Sequence, residues 1–124
     1  MYSLLIKNGQ LFDPDSGLSQ RGDIALDGRC IAAVGDVAPG DAAATIDAAG
    51  CIVTPGLVDM HAHLYPLLPS GIPAEAVCFS TGVTTAVDAG SSGCASYPYF
   101  RPFIHTSQLR IKAFLNVSTA GICA

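Results

Sequence analysis

The sequence predicts an α/β protein: a small antiparallel β layer over residues 1–50, followed by alternating strands and helices over residues 51–124. Half of the 124 residues are hydrophobic and 13% are charged, an ordinary globular composition at about one domain's length that rules out a disordered chain. Mean hydropathy is high at +0.44. Gly, Pro, Thr or a charge nevertheless interrupts every apolar run short of the ~18 residues of a spanning helix, so the excess is expected in sheet buried on both faces. Between Gly50 and Pro55 the pattern changes from turn-punctuated strands to strand-helix alternation, which makes this stretch the natural boundary.

Residues Tyr2 to Phe12 are rich in β-formers and end at Asp13-Pro14-Asp15-Ser16-Gly17, five turn-formers in a row. Asp23–Leu26 and Arg29–Val34 flank Asp27-Gly28, a pair suited to a two-residue type I′ turn because both positions there need φ > 0; a hairpin is expected. Gly35 to Ala44 is a polar connection carrying Gly and Pro, and Thr45-Ile46-Asp47-Ala48 reads as a short strand before Gly50. Cys51-Ile52-Val53 and Leu57 to His63 then read as strand, Pro73 to Thr81 as a short helix with Pro in its first turn, and Thr84 to Asp88 as strand. Tyr97 to Leu109 predicts a second helix, with Pro98 and Pro102 limiting how early it starts, and Ile111 to Val117 a third strand. Strand, helix, strand, helix, strand implies parallel pairing with right-handed crossovers.

Ten acidic against six basic residues give a net charge of −4. The bases Lys7, Arg21, Arg29, Arg101, Arg110 and Lys112 are scattered, which argues against a surface that tracks phosphates, so neither nucleic acid nor membrane is expected as a partner. Met1 to Lys7 has no charged leader, long apolar stretch or cleavage site, and a cytoplasmic location is expected. Cys30, Cys51, Cys78, Cys94 and Cys123 contain no C-x-x-C pair, which suggests buried free thiols rather than a disulfide framework or a thiolate zinc site.

The chemistry concentrates in Pro55 to Leu64. His61 and His63, two apart on a strand, share a face with Cα atoms about 6.6 Å apart, so both imidazoles can converge on one ion. Asp59 shares that face; it accepts a ring N–H, enters a metal shell, or is a carboxylate held by main-chain donors. An H-x-H pair alone is weak, because histidines often satisfy core carbonyls or titrate on a surface. His105 falls in the second helix as a surface or packing residue. Ser91 and Ser92 have no matched base in sequence, which argues against serine nucleophiles. Tyr65 and Tyr97 are candidates for a substrate mouth.

Pro55-Gly56-Leu57-Val58-Asp59-Met60-His61-Ala62-His63, preceded by a β layer opening with Leu5-Ile6-Lys7-Asn8-Gly9-Gln10-Leu11-Phe12-Asp13, resembles the N-terminus of the amidohydrolase superfamily, in which dihydroorotases, hydantoinases and related deacetylases begin this way. The resemblance runs on through Gly82 to Ser91 and Lys112 to Ser118, nearly the whole chain. His61-Ala62-His63-Leu64-Tyr65-Pro66 followed by Asp88 to Gly93 is most similar to the amidohydrolase/deacetylase metallohydrolase branch.

This resemblance implies a (β/α)8 TIM barrel with one or two divalent ions, zinc foremost, at the C-terminal ends of its strands, and a small β domain built from both chain termini. It makes His61 and His63 metal ligands from the first barrel strand. Asp88 then lies near the barrel rim beside the metal or substrate, or else caps loop N–H groups. In such enzymes a metal-activated water attacks an amide or ester carbonyl. No catalytic residue is expected in this chain: the bridging lysine, two further histidines and the proton-shuttling aspartate of the family belong to later strands.

A (β/α)8 barrel takes roughly 250 residues, whereas residues 51–124 hold about two and a half βα units. The expectation is therefore the N-terminal part of a metal-dependent hydrolase acting on an acylated small molecule, inactive alone, with Phe100, Phe103, Phe114 and Leu115 left uncovered. A homo-oligomer is compatible with this. The alternative is a short module that binds a metal or a partner chain through an open sheet edge.

Overall fold

The computed structural model describes residues 1–38, 42–66, 68–69 and 71–122. Part of the expected Gly35–Ala44 connection, and Cys123, lie outside the described residues. The chain divides into two units, Met1–Pro55 and Gly56–Ala124.

The first unit holds β1 (Leu4–Asp13), β2 (Leu18–Asp27), β3 (Cys30–Gly35), β4 (Thr45–Asp47) and β5 (Ile52–Val53). Its sheet order is β3-β2-β1-β4, with β5 also on β1. The two hairpins are antiparallel, but β4 and β5 run parallel to β1, with Ile6 opposite Ile46 and Leu11 opposite Val53. The layer is thus mixed rather than wholly antiparallel, because β2 already occupies one side of β1 and the later segments align along the other. Since β5 belongs to this sheet, the first unit ends at Pro55, the far end of the Gly50–Pro55 stretch, and not at residue 50 where the β layer was expected to stop.

The expected hairpin forms one residue later than its sequence signal. Asp27 pairs with Cys30, leaving Gly28-Arg29 as the central pair. Gly28 has φ +57° and Arg29 is not in the left-handed region, so the φ signs are those of a II′ turn, which asks for Gly at the first central position only. At the bulge in β1 between Ile6 and Gly9, Asn8 takes φ +63°. Its N–H donates to Asp23 Oδ1 and its Nδ2 to Asp47 Oδ1, each at 2.9 Å, the local polar bonding that lets Asn tolerate this conformation.

The second unit holds β6 (Leu57–Ala62), α1 (Ala74–Ser80), β7 (Val83–Gly93), α2 (Tyr97–Thr106) and β8 (Arg110–Asn116). The sheet is parallel, in the order β6-β7-β8. Helix α1 starts at its Pro73 cap, where the missing N–H costs nothing. Helix α2 stops at Thr106, short of the expected Leu109, because Ser107 turns to extended backbone with ψ 140° and Leu109 enters the core ahead of β8. Strand β7 runs on to Gly93, past the expected end at Asp88, through the small buried residues Gly90 to Gly93. The core gathers Ala62, Leu64, Ala74, Cys78, Ala86, Leu109 and Ile111, with Phe103 and Ile104 packed against it.

The sheet is not covered on both faces as the hydropathy suggested: Leu57, Val58 and Met60 of β6 and Phe114 and Leu115 of β8 are exposed. Phe100 and Phe103, expected to be bare, are half-buried against Tyr65. Of the four described cysteines only Cys78 is buried; Cys30, Cys51 and Cys94 are exposed. No helix among the described residues is long and apolar enough to cross a membrane.

Candidate metal site

Strand alternation sets the geometry around the histidines. Ala62 and Leu64 enter the core, so the residues between and beside them turn to the other side. The His61 and His63 rings consequently face each other, with centroids 5.9 Å apart and planes at 87°. Two imidazoles bound through nitrogen to one tetrahedral zinc have centroids about 5 Å apart, a spacing close to that of this pair. The donor set suits a divalent transition metal, imidazole being a common ligand for several of them.

The residues around the pair are arranged by β6 and β7 lying side by side with Ala62 opposite Asp88. Ser91 Oγ lies 2.8 Å from His63 Nδ1. Asp88, wholly buried, accepts the Leu64 N–H through Oδ2 at 3.0 Å and the Ser91 N–H through Oδ1 at 2.8 Å. Asp88 thus makes the contacts of its capping reading, with each oxygen holding one main-chain donor. Asp59, half-buried, accepts the His61 main-chain N–H at 2.9 Å rather than an imidazole N–H. Its nearby charge adds to burial, the larger cause, in pushing the Cys78 thiol up.

Other candidates move away from the site. Tyr65 is wholly buried, stacked on Phe100 with ring centroids 4.2 Å apart, and is core rather than substrate mouth. His105 is exposed on α2, accepting from Arg101 Nε at 3.2 Å. Lys112 pairs with Val87 in the first half of β8 and not at its C-terminal end. Among the described residues no cluster of three or more His, Cys, Asp or Glu is poised to hold a metal, so the two imidazoles stand as an incomplete ligand set. Ser91 is the residue that sequence reasoning misses; its signal exists only once β7 is extended beyond Asp88 and set in register with β6.

No family model matches the chain. A deacetylase of Agrobacterium fabrum is 45% identical over a 110-residue alignment that covers 82% of this chain and 25% of that protein. The crystal structure of a dihydroorotase superposes on all of this chain with a TM-score of 0.81 at 34% identity, over 33% of its own length. The chain belongs to the amidohydrolase superfamily. A third member, the N-acyl-D-glutamate deacylase from Bordetella bronchiseptica solved with zinc and a phosphonate inhibitor, matches 76% of this chain and 19% of its own at 29% identity, with a TM-score of 0.60. The chain thus spans about a quarter to a third of the length of the first two amidohydrolases.

Proposed function

We propose that this chain is the N-terminal section of a metal-dependent amidohydrolase of the deacetylase type, which hydrolyses the amide or ester bond of an acylated small molecule. The observation that carries the reading is the imidazole pair: two rings 5.9 Å apart at the C-terminal end of a strand in a parallel sheet. His61 and His63 are the residues that would hold the divalent cation, zinc foremost, as the zinc-bearing deacylase supports. When bound there, such an ion supplies Lewis acidity toward the scissile carbonyl and toward an attacking water. Within this chain the roles are preparatory: the histidines bind, Asp59 fixes the main chain at His61, and Asp88 fixes it at Leu64. A proton shuttle and further ligands are assigned to strands outside this sequence.

Completion of β6-β7-β8 into a (β/α)8 barrel belongs to the same proposal, and the exposed apolar side chains of β6 and β8 support it, because further strands and helices would bury them. Zinc titration by calorimetry tests the reading. Wild type is expected to take up zinc, with uptake abolished in the His61→Ala/His63→Ala double variant; equal uptake by both removes these histidines from any site.

A further inference from the structure

The two nitrogens of His63 meet different surroundings. Nδ1 lies 2.8 Å from the hydroxyl of Ser91, a residue only 1% exposed. A serine hydroxyl both donates and accepts, so it serves Nδ1 whichever nitrogen carries the ring proton. The hydroxyl is also held in place: the Ser91 N–H is bonded to Asp88, whose other oxygen holds the residue after His63. One buried carboxylate therefore fixes both the main chain carrying the hydroxyl and the main chain beside the ring it meets. The His61 ring, by contrast, is exposed and has no hydrogen-bond partner among the described residues.

A histidine beside a serine also raises the possibility of a nucleophile and its base. The geometry speaks against that: the Ser91 hydroxyl is buried, and Asp88 binds main-chain N–H groups instead of orienting the imidazole as the third member of a triad would. We infer that Ser91 is a positioning residue that occupies Nδ1 of His63 and leaves Nε2 as the one ring nitrogen open to a cation. The cation half of this inference rests on the metal reading above; the engagement of Nδ1 does not.

Nitrogen-15 NMR of the histidine rings separates the two. In the metal-free chain, Ser91→Ala is expected to move the His63 Nδ1 resonance and leave the His61 nitrogens in place. Ser92→Ala, which removes a neighbouring buried hydroxyl 3.5 Å from the Tyr65 hydroxyl, is expected to leave Nδ1 unmoved. With cadmium-113 as the probe, wild type should show one-bond coupling to His63 Nε2, and Ser91→Ala should bind cadmium about 10–100-fold more weakly. Coupling to His63 Nδ1 in wild type, a Nδ1 resonance unmoved by Ser91→Ala, or an equal shift from Ser92→Ala overturns the inference. If wild type takes up no cadmium, the metal reading fails, and the Ser91→Ala shift alone decides whether Ser91 holds Nδ1.

Discussion

The Leu64 and Ser91 main-chain N–H groups converge on Asp88, and among the described residues of the second unit no other side chain has so much backbone depending on it in a fully buried place. Asp88→Ala leaves both amides without their acceptor, and a loss of about 2–4 kcal/mol is expected in urea denaturation, against a smaller loss for Asp88→Asn, which keeps a carbonyl oxygen. An unchanged midpoint for the alanine variant would refute the role. Tyr65 is the corresponding apolar case. Burial pushes its phenol up, partly opposed by the Ser92 hydroxyl, and its ring is stacked on Phe100 and edge-on to Phe103. Tyr65→Ala should cost about 3–5 kcal/mol, the range for an aromatic removed from a core. The sequence makes the H-x-H pair legible because a strand's two-residue period puts both rings on one face whatever surrounds them. It hides the Ser91 contact to His63 and leaves the capping of Asp59 and Asp88 as one of several readings, because those partners depend on register between strands and on which main-chain donors are free.

Among elements, α1 is tied to the connection between α2 and β8 by Glu75, whose Oε1 accepts from Ser107 Oγ at 2.7 Å and from the Gln108 N–H at 2.8 Å. The Ser107 hydroxyl is the larger cause, with the Gln108 N–H behind it, of a carboxyl held below the usual glutamate value of 4.5. A folded-state value lowered in this way contributes stability above 4.5 that is lost as pH falls through the lowered value. Glu75→Gln is therefore expected to flatten the acid limb of a plot of thermal midpoint against pH, and an unaltered limb would show the tie to be idle. Strand β7 tests differently: a Cβ at Gly93 would sit 1.9 Å from the Ser118 carbonyl oxygen and 2.5 Å from that of Thr119. Main chain cannot swing aside as a side-chain tip can, so Gly93→Ala should destabilise by about 1–3 kcal/mol in the same urea assay. Helix and strand order in this unit was readable from periodicity, whereas the end of β7 was not, because Gly90-Ser91-Ser92-Gly93 looks like a loop until its burial is known. The direction of β4 and β5 was equally hidden, since segments of three and two residues carry no signal for parallel or antiparallel pairing.

For the whole molecule, the apolar surface left on the second unit has a measurable outcome. Phe114 is 66% and Leu115 53% exposed on β8, an edge strand of the parallel sheet. The chain by itself should bind the dye ANS, and Phe114→Lys/Leu115→Glu should lower that fluorescence; a dye-silent wild type would count against the open sheet. The partnership of β6 and β7 leads somewhere else. His63 and Ser91 are 28 positions apart and Leu64 and Asp88 are 24 apart, within a single strand-helix-strand unit. Loop-closure entropy grows only with the logarithm of such a span, about 0.6 kcal/mol per doubling. During synthesis, then, the grip on the imidazole needs only a short stretch of nascent chain, and the histidines can be aimed before any distant segment has left the ribosome.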